Sequence, residues 1–80
     1  MMETLALSVC VGGTASVDVG FARGLLCDDI TVIRPELRGA TPSSNRFYVT
    51  GIRAGFTLCR VGTQRGVPTV LVQVTVTACP

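Results

Sequence analysis

The chain has no histidine, and its seven basic residues are all arginine. Without histidine the commonest general base is missing, and without lysine so is the usual amine nucleophile. Ser8, Ser16, Ser43 and Ser44 have no evident activating partner. The expectation is a protein that is not an enzyme and uses no cofactor. Aromatic residues are scarce too, with three phenylalanines, one tyrosine and no tryptophan. Arg23, Arg34, Arg38, Arg46, Arg53, Arg60 and Arg65 stand singly and never form a basic run. A nucleic-acid binder needs clustered charge, usually with aromatic platforms beside it, so no nucleic-acid partner is expected. No segment approaches the roughly 18 apolar residues of a membrane-spanning helix. The start, Met1-Met2-Glu3-Thr4, has no basic region, and residues 5–11 are too short and too alternating for a signal sequence.

What is present is a compact, apolar chain of 80 residues, 48% hydrophobic and only 15% charged. Such a length is one small domain, read as residues 1–80 and as a fragment of a longer exported protein. A chain of this size buries only roughly 60–65% of its unfolded surface, so its core alone leaves little net stability. Valine, threonine and glycine dominate, a mixture that suits pleated surfaces joined by tight turns.

Period-two patterning runs along most of the sequence. Leu5, Leu7, Val9 and Val11 alternate with Ala6, Ser8 and Cys10. Gly12-Gly13 reads as a turn and residues 15–19 as the returning strand. Gly20 breaks that strand, after which 23–27 and 30–34 read as short strands, the second ended by Pro35. Residues 35–45, with two prolines, read as the longest loop. Strands at 46–50, 56–61 and 67–77 follow, the last two as a hairpin around residues 62–66. In the last strand Val70, Val72, Val74 and Val76 share one side. Nothing reads as a helix. The fold class is all-β, a small sandwich or barrel-like domain of about seven short strands.

The four cysteines are the sharpest feature. Their wide gaps contain no C-x-x-C, and no histidine completes a mixed site, so no metal site is expected. An even count in a small domain points to a disulfide framework, with four reduced thiols as the other reading. Cys10 lies on the face opposite Val9 and Val11, and Cys79 continues the Gln73-Thr75-Thr77 face. Cys27 shares a face with Leu25, and Cys59 with Thr57 and Val61. Bridged residues need Cβ atoms about 4 Å apart, so cysteines of the same layer should pair. The prediction is Cys10–Cys79 and Cys27–Cys59, in an oxidising compartment such as the periplasm or cell surface.

Other features have plain readings. Asp28-Asp29 is the one pair of adjacent carboxylates, and it reads as a solvated turn. Gly12-Gly13 lacks the G-K-[ST] of a phosphate loop. Residues 51–55 (GIRAG) read as a turn in which glycine supplies a positive φ. Tyr48 and Arg53 are candidate interface residues, since both types are enriched at binding hot spots.

In order along the chain, several segments resemble the N-terminal domain of pilus-assembly and secretin-type proteins of bacterial type II/III secretion systems. Leu7-Ser8-Val9-Cys10-Val11-Gly12, then residues 15–19, are similar to that family's opening strand, glycine and second strand. Ala22-Arg23-Gly24-Leu25, Asp28-Asp29 and residues 30–35 resemble its next stretch, which closes on proline. Residues 48–59 (YVTGIRAGFTLC) look like its V-x-G-x-x-x-G-x-T-x-L turn, with the end spacing slightly altered, and the valine-rich last strand also fits. The acidic turn is shorter than that family's, and four cysteines are not its hallmark. The resemblance implies a periplasmic, non-enzymatic protein–protein module whose partners are other subunits of an envelope assembly, with homo-oligomerisation open. The alternative is a freestanding secreted β-sandwich, adhesin-like or surface-binding.

Overall fold

A computed structural model describes residues 3–41, 44–64 and 67–79, and the side chains of residues 40, 63, 64, 67 and 68 also lie outside the description. Seven strands form two sheets: β1 (Glu3–Cys10), β2 (Thr14–Gly20), β3 (Gly24–Cys27), β4 (Ile33–Thr41), β5 (Ser44–Gly51), β6 (Gly55–Gln64) and β7 (Val67–Thr77). The four-stranded sheet has the order β1-β7-β6-β3 and the three-stranded sheet β2-β5-β4. The first strand runs parallel to the last, and the remaining neighbours are antiparallel. No helix among the described residues is long and apolar enough to cross a membrane.

The alternation seen in the sequence selects the inner faces. Val70, Val72, Val74 and Val76 of β7 are buried, flanked by Thr57, Cys59 and Val61 of β6 and Val9 of β1. From the opposite sheet come Val19, Ile33, Phe47 and Val49, with Ala15, Val17 and Leu37 packed beside them. Stiff β-branched side chains lose little freedom in such a layer, which is why valine can make most of it.

One reading of the sequence is corrected here. Pro35 does not end a strand; β4 begins only at Ile33, passes through Pro35 and covers most of the expected 35–45 loop. The physical reason is position: β4 is an edge strand, and a proline is tolerated where the missing N–H faces the open side. Ile30 sits in the turn before it rather than in a strand. The β6–β7 hairpin is present, with Gly62 still inside β6; Arg65 and Gly66 of its expected turn, like Ser43 among the serines, lie outside the described residues.

Two glycines close one end of the sandwich. Gly12 takes a φ of 83°, the left-handed region in which glycine carries no steric penalty. Gly51 has a different reason: a Cβ there would lie 2.6 Å from the Cys10 carbonyl oxygen and 2.9 Å from Val76 Cγ1. Close approach, rather than positive φ, requires glycine at 51. That approach lets Gly12 N–H donate to Gly51 O at 2.8 Å and Gly51 N–H to Gly13 O at 3.0 Å, stitching β1 to β5.

Candidate interaction surface

Both disulfides belong to the four-stranded sheet. Cys27 and Cys59 face each other across β3 and β6, with Cα atoms 4.0 Å apart. Asp28 N–H donates to Leu58 O at 3.0 Å next to them. The cysteines therefore occupy the adjacent, non-hydrogen-bonded pair, where opposed side chains come closest. Cys10 is bridged to Cys79 just beyond β7, with Cα atoms 5.4 Å apart. These are the pairings that face-by-face alternation assigns, and Cys59 is fully buried while Cys10 and Cys79 are exposed. Two such bridges are the mark of an oxidising compartment.

The outer faces of the two sheets are unlike. On the three-stranded sheet the outward rows are Thr14–Thr50–Arg34, Ser16–Tyr48–Glu36 and Asp18–Arg46–Arg38. Charge is dense there, and much of it is satisfied internally. Arg38 forks onto Glu36 at 2.7 and 3.0 Å and lies over the Tyr48 ring at 4.6 Å. The Arg38 guanidinium holds the Glu36 carboxyl below the usual carboxylate range. The Gly20 N–H and then the Ser44 hydroxyl do the same for Asp18, with Arg46 adding to it. Arg46 Nε also donates to Ser16 Oγ at 3.1 Å.

On the four-stranded sheet the outward rows are Leu26–Arg60–Leu71–Thr4, Leu58–Gln73–Ala6 and Phe56–Thr75–Ser8. Arg60 is the one charged residue in these rows, and it is ion-paired with Asp28 beside β3. Leu26 is 67% exposed and Phe56 58%, so large apolar groups stand in solvent across this face. Ile30, 72% exposed, and Ile52 and Val11 are further exposed apolar residues, all outside the seven strands. Ile52 N–H donates to Val32 O at 2.8 Å, and Val11 bridges to Gly51, so these side chains sit on tied backbone.

The candidate interface residues Tyr48 and Arg53 are not brought together. Tyr48 is half-buried under Arg38 on the charged face. Arg53 lies in the β5–β6 turn, where its Nη2 donates to Thr31 Oγ1 at 2.5 Å and reaches Asp29 Oδ2 at 4.0 Å. The Asp29 carboxyl is held below its ordinary range, first by the Thr31 hydroxyl and N–H and then by Arg53. Asp28-Asp29 is thus a turn whose two carboxylates take separate arginine partners. The residues that sequence reading missed are Leu26, Phe56, Leu58 and Leu71. The signal was apolar side chains at the outward positions of β3, β6 and β7, legible only once strand register was known. Among the described residues, no group of three or more His, Cys, Asp or Glu is placed to hold a metal ion.

The crystal structure of the second Ig domain of the mouse polymeric immunoglobulin receptor superposes with a TM-score of 0.57 at 13% identity, covering 98% of this chain and 100% of that one. The fold is immunoglobulin-like. No family model matches the chain, and no curated protein matches it. Within the immunoglobulin-like frame, two hallmarks of antibody domains are replaced. Their disulfide joins the two sheets and packs on a tryptophan; here Cys59 is bridged within its own sheet to Cys27, and the chain has no tryptophan. Two residues before the cysteine of this strand, antibody domains carry a tyrosine that bonds back to upstream backbone. Thr57 holds that place, and its buried Oγ1 accepts from Asp29 N–H at 2.9 Å.

Proposed function

We propose that this domain is a non-enzymatic protein–protein interaction module of a periplasmic pilus or secretion assembly, docking through the outer face of its four-stranded sheet. The observation that carries the reading is the contrast between the two outer faces. Monomeric proteins rarely leave contiguous large apolar patches in water, and such patches mark binding surfaces. Here the rows bearing Leu26, Phe56, Leu58 and Leu71 contain a single charge, while the outward rows of the opposite face carry five, Asp18, Arg34, Glu36, Arg38 and Arg46. The disulfides support an oxidising, extracytoplasmic setting, and the sequence resemblance to secretin-type N-terminal domains supplies the kind of assembly.

The test is a non-reducing blot of envelope fractions from the source organism, mildly heated, with an antibody against the domain. The expected result is a large, detergent-resistant envelope species that shrinks when Phe56→Asp is introduced. A small soluble band, unchanged by that substitution, contradicts the reading and leaves a freestanding secreted binding domain.

A further inference from the structure

Resting on the docking face just described, we infer that its occupant is a second copy of this chain, packed face to face about a twofold axis. Three observations favour a copy over an unrelated partner. First, the chain carries a net charge of +2, so most approaches between copies are repulsive. In the outward rows of the four-stranded sheet, by contrast, the one charge, Arg60, is neutralised by Asp28 of the same chain. Stacking this face on itself brings no unpaired like charges together, whereas the three-stranded sheet keeps a net positive charge, three arginines against Asp18 and Glu36.

Second, opposite charges stand side by side near the β3 edge: Arg60 is half-buried and Asp28 exposed. A twofold that lays β3 along β3 sets each copy's Asp28 near the other's Arg60, so the rim is complementary to itself. Isologous contacts of this kind require self-complementarity. Leu26, Leu58, Phe56 and Leu71 gather on β3, β6 and β7, so a twofold that lays β3 along β3 sets these large apolar side chains against those of the other copy.

Third, the size of the face sets the strength. Four strands at about 4.8 Å spacing and three outward rows give a face of about 400 Å² in projection. Two such faces bury about 800 Å² in total, below the size of stable specific interfaces and within the range of weak, transient contacts. Each protomer already holds its fold with two disulfides, so it does not depend on association. The dimer is therefore reversible and concentration-dependent rather than obligate.

The experiment is sedimentation equilibrium of the 80-residue chain over a wide concentration range, paired with amide chemical shifts on dilution. The expected result is a monomer–dimer equilibrium, with dilution shifts confined to β3, β6 and β7. Leu26→Asp with Phe56→Asp is expected to weaken association at least 100-fold, with an unchanged far-UV spectrum. Tyr48→Asp, on the opposite face, is expected to leave it within about twofold. A chain that stays monomeric at millimolar concentration overturns the inference, as do dilution shifts that map to β2, β4 and β5. The shifts are read on the unsubstituted chain, so they decide the matter even where a variant fails to fold. Should the chain be monomeric while Phe56→Asp still abolishes the large envelope species, self-pairing fails and the docking face stands. Loss of neither means that the docking face itself is wrong.

Discussion

The two sheets of this sandwich solve the problem of a small core in different ways. The four-stranded sheet carries both disulfides and sets Leu26 and Phe56 in solvent on an outer face with one charged residue, Arg60. The three-stranded sheet has no covalent tie, places Phe47 and Val49 at the centre of its inner face, and covers its outside with charge-assisted hydrogen bonds. A domain of this size has little stability to spare. The sheet stiffened by bridges is the one that presents large apolar side chains to solvent.

The largest effect should come from removing the bridges. Converting Cys27 and Cys59 to alanine opens a loop of 32 residues' separation, expected to cost about 4 kcal/mol on the chain-entropy account. Chemical denaturation of the variant would show it, and a loss below about 1 kcal/mol would break the contrast between the sheets. Next, the same residue type can be compared inside and outside. Phe47, fully buried, should lose about 3–5 kcal/mol on truncation to alanine. Phe56→Ala, on the exposed face, should stay within about 0.5 kcal/mol. Equal losses would mean that Phe56 is part of the core.

Gly51→Ala tests the stitched end, where the new Cβ meets the Cys10 carbonyl and Val76. Overpacking of this kind costs about 1–3 kcal/mol, read as a lower thermal midpoint, and a neutral result would show that β1 and β5 can move apart. The smallest effect is electrostatic. Asp18, Asp29 and Glu36 all titrate below their ordinary range in the folded chain. Their contribution is present above the ordinary carboxylate range and lost as pH falls through the lowered values. Stability should therefore decline on acidification, and Asp29→Asn should shallow that decline slightly, because its partners are exposed and screened.

Much of this arrangement was legible in the residues. The valines at 70, 72, 74 and 76 announce their buried side because a strand's period is two and no loop intervenes. The same alternation places Cys59 with Thr57 and Val61, and so selects its bridge partner. What was not legible depends on topology. Pro35 reads as a stop because local sequence does not say whether a strand lies at an edge. The parallel pairing of β1 with β7 joins the two ends of the chain, beyond the reach of any local pattern. The apolar outer face escaped for the same reason: Leu26, Phe56, Leu58 and Leu71 come from three strands, and only register assembles them. Tyr48 drew notice as a residue type, but its ring is covered by Arg38.

The central claim is that the domain binds through its four-stranded sheet. The most direct test places a photo-crosslinking side chain at Phe56 and, separately, at Tyr48, and irradiates intact cells. The account predicts covalent protein adducts from position 56 and none from position 48. Adducts from position 48 alone would contradict it and move the docking surface to the charged sheet.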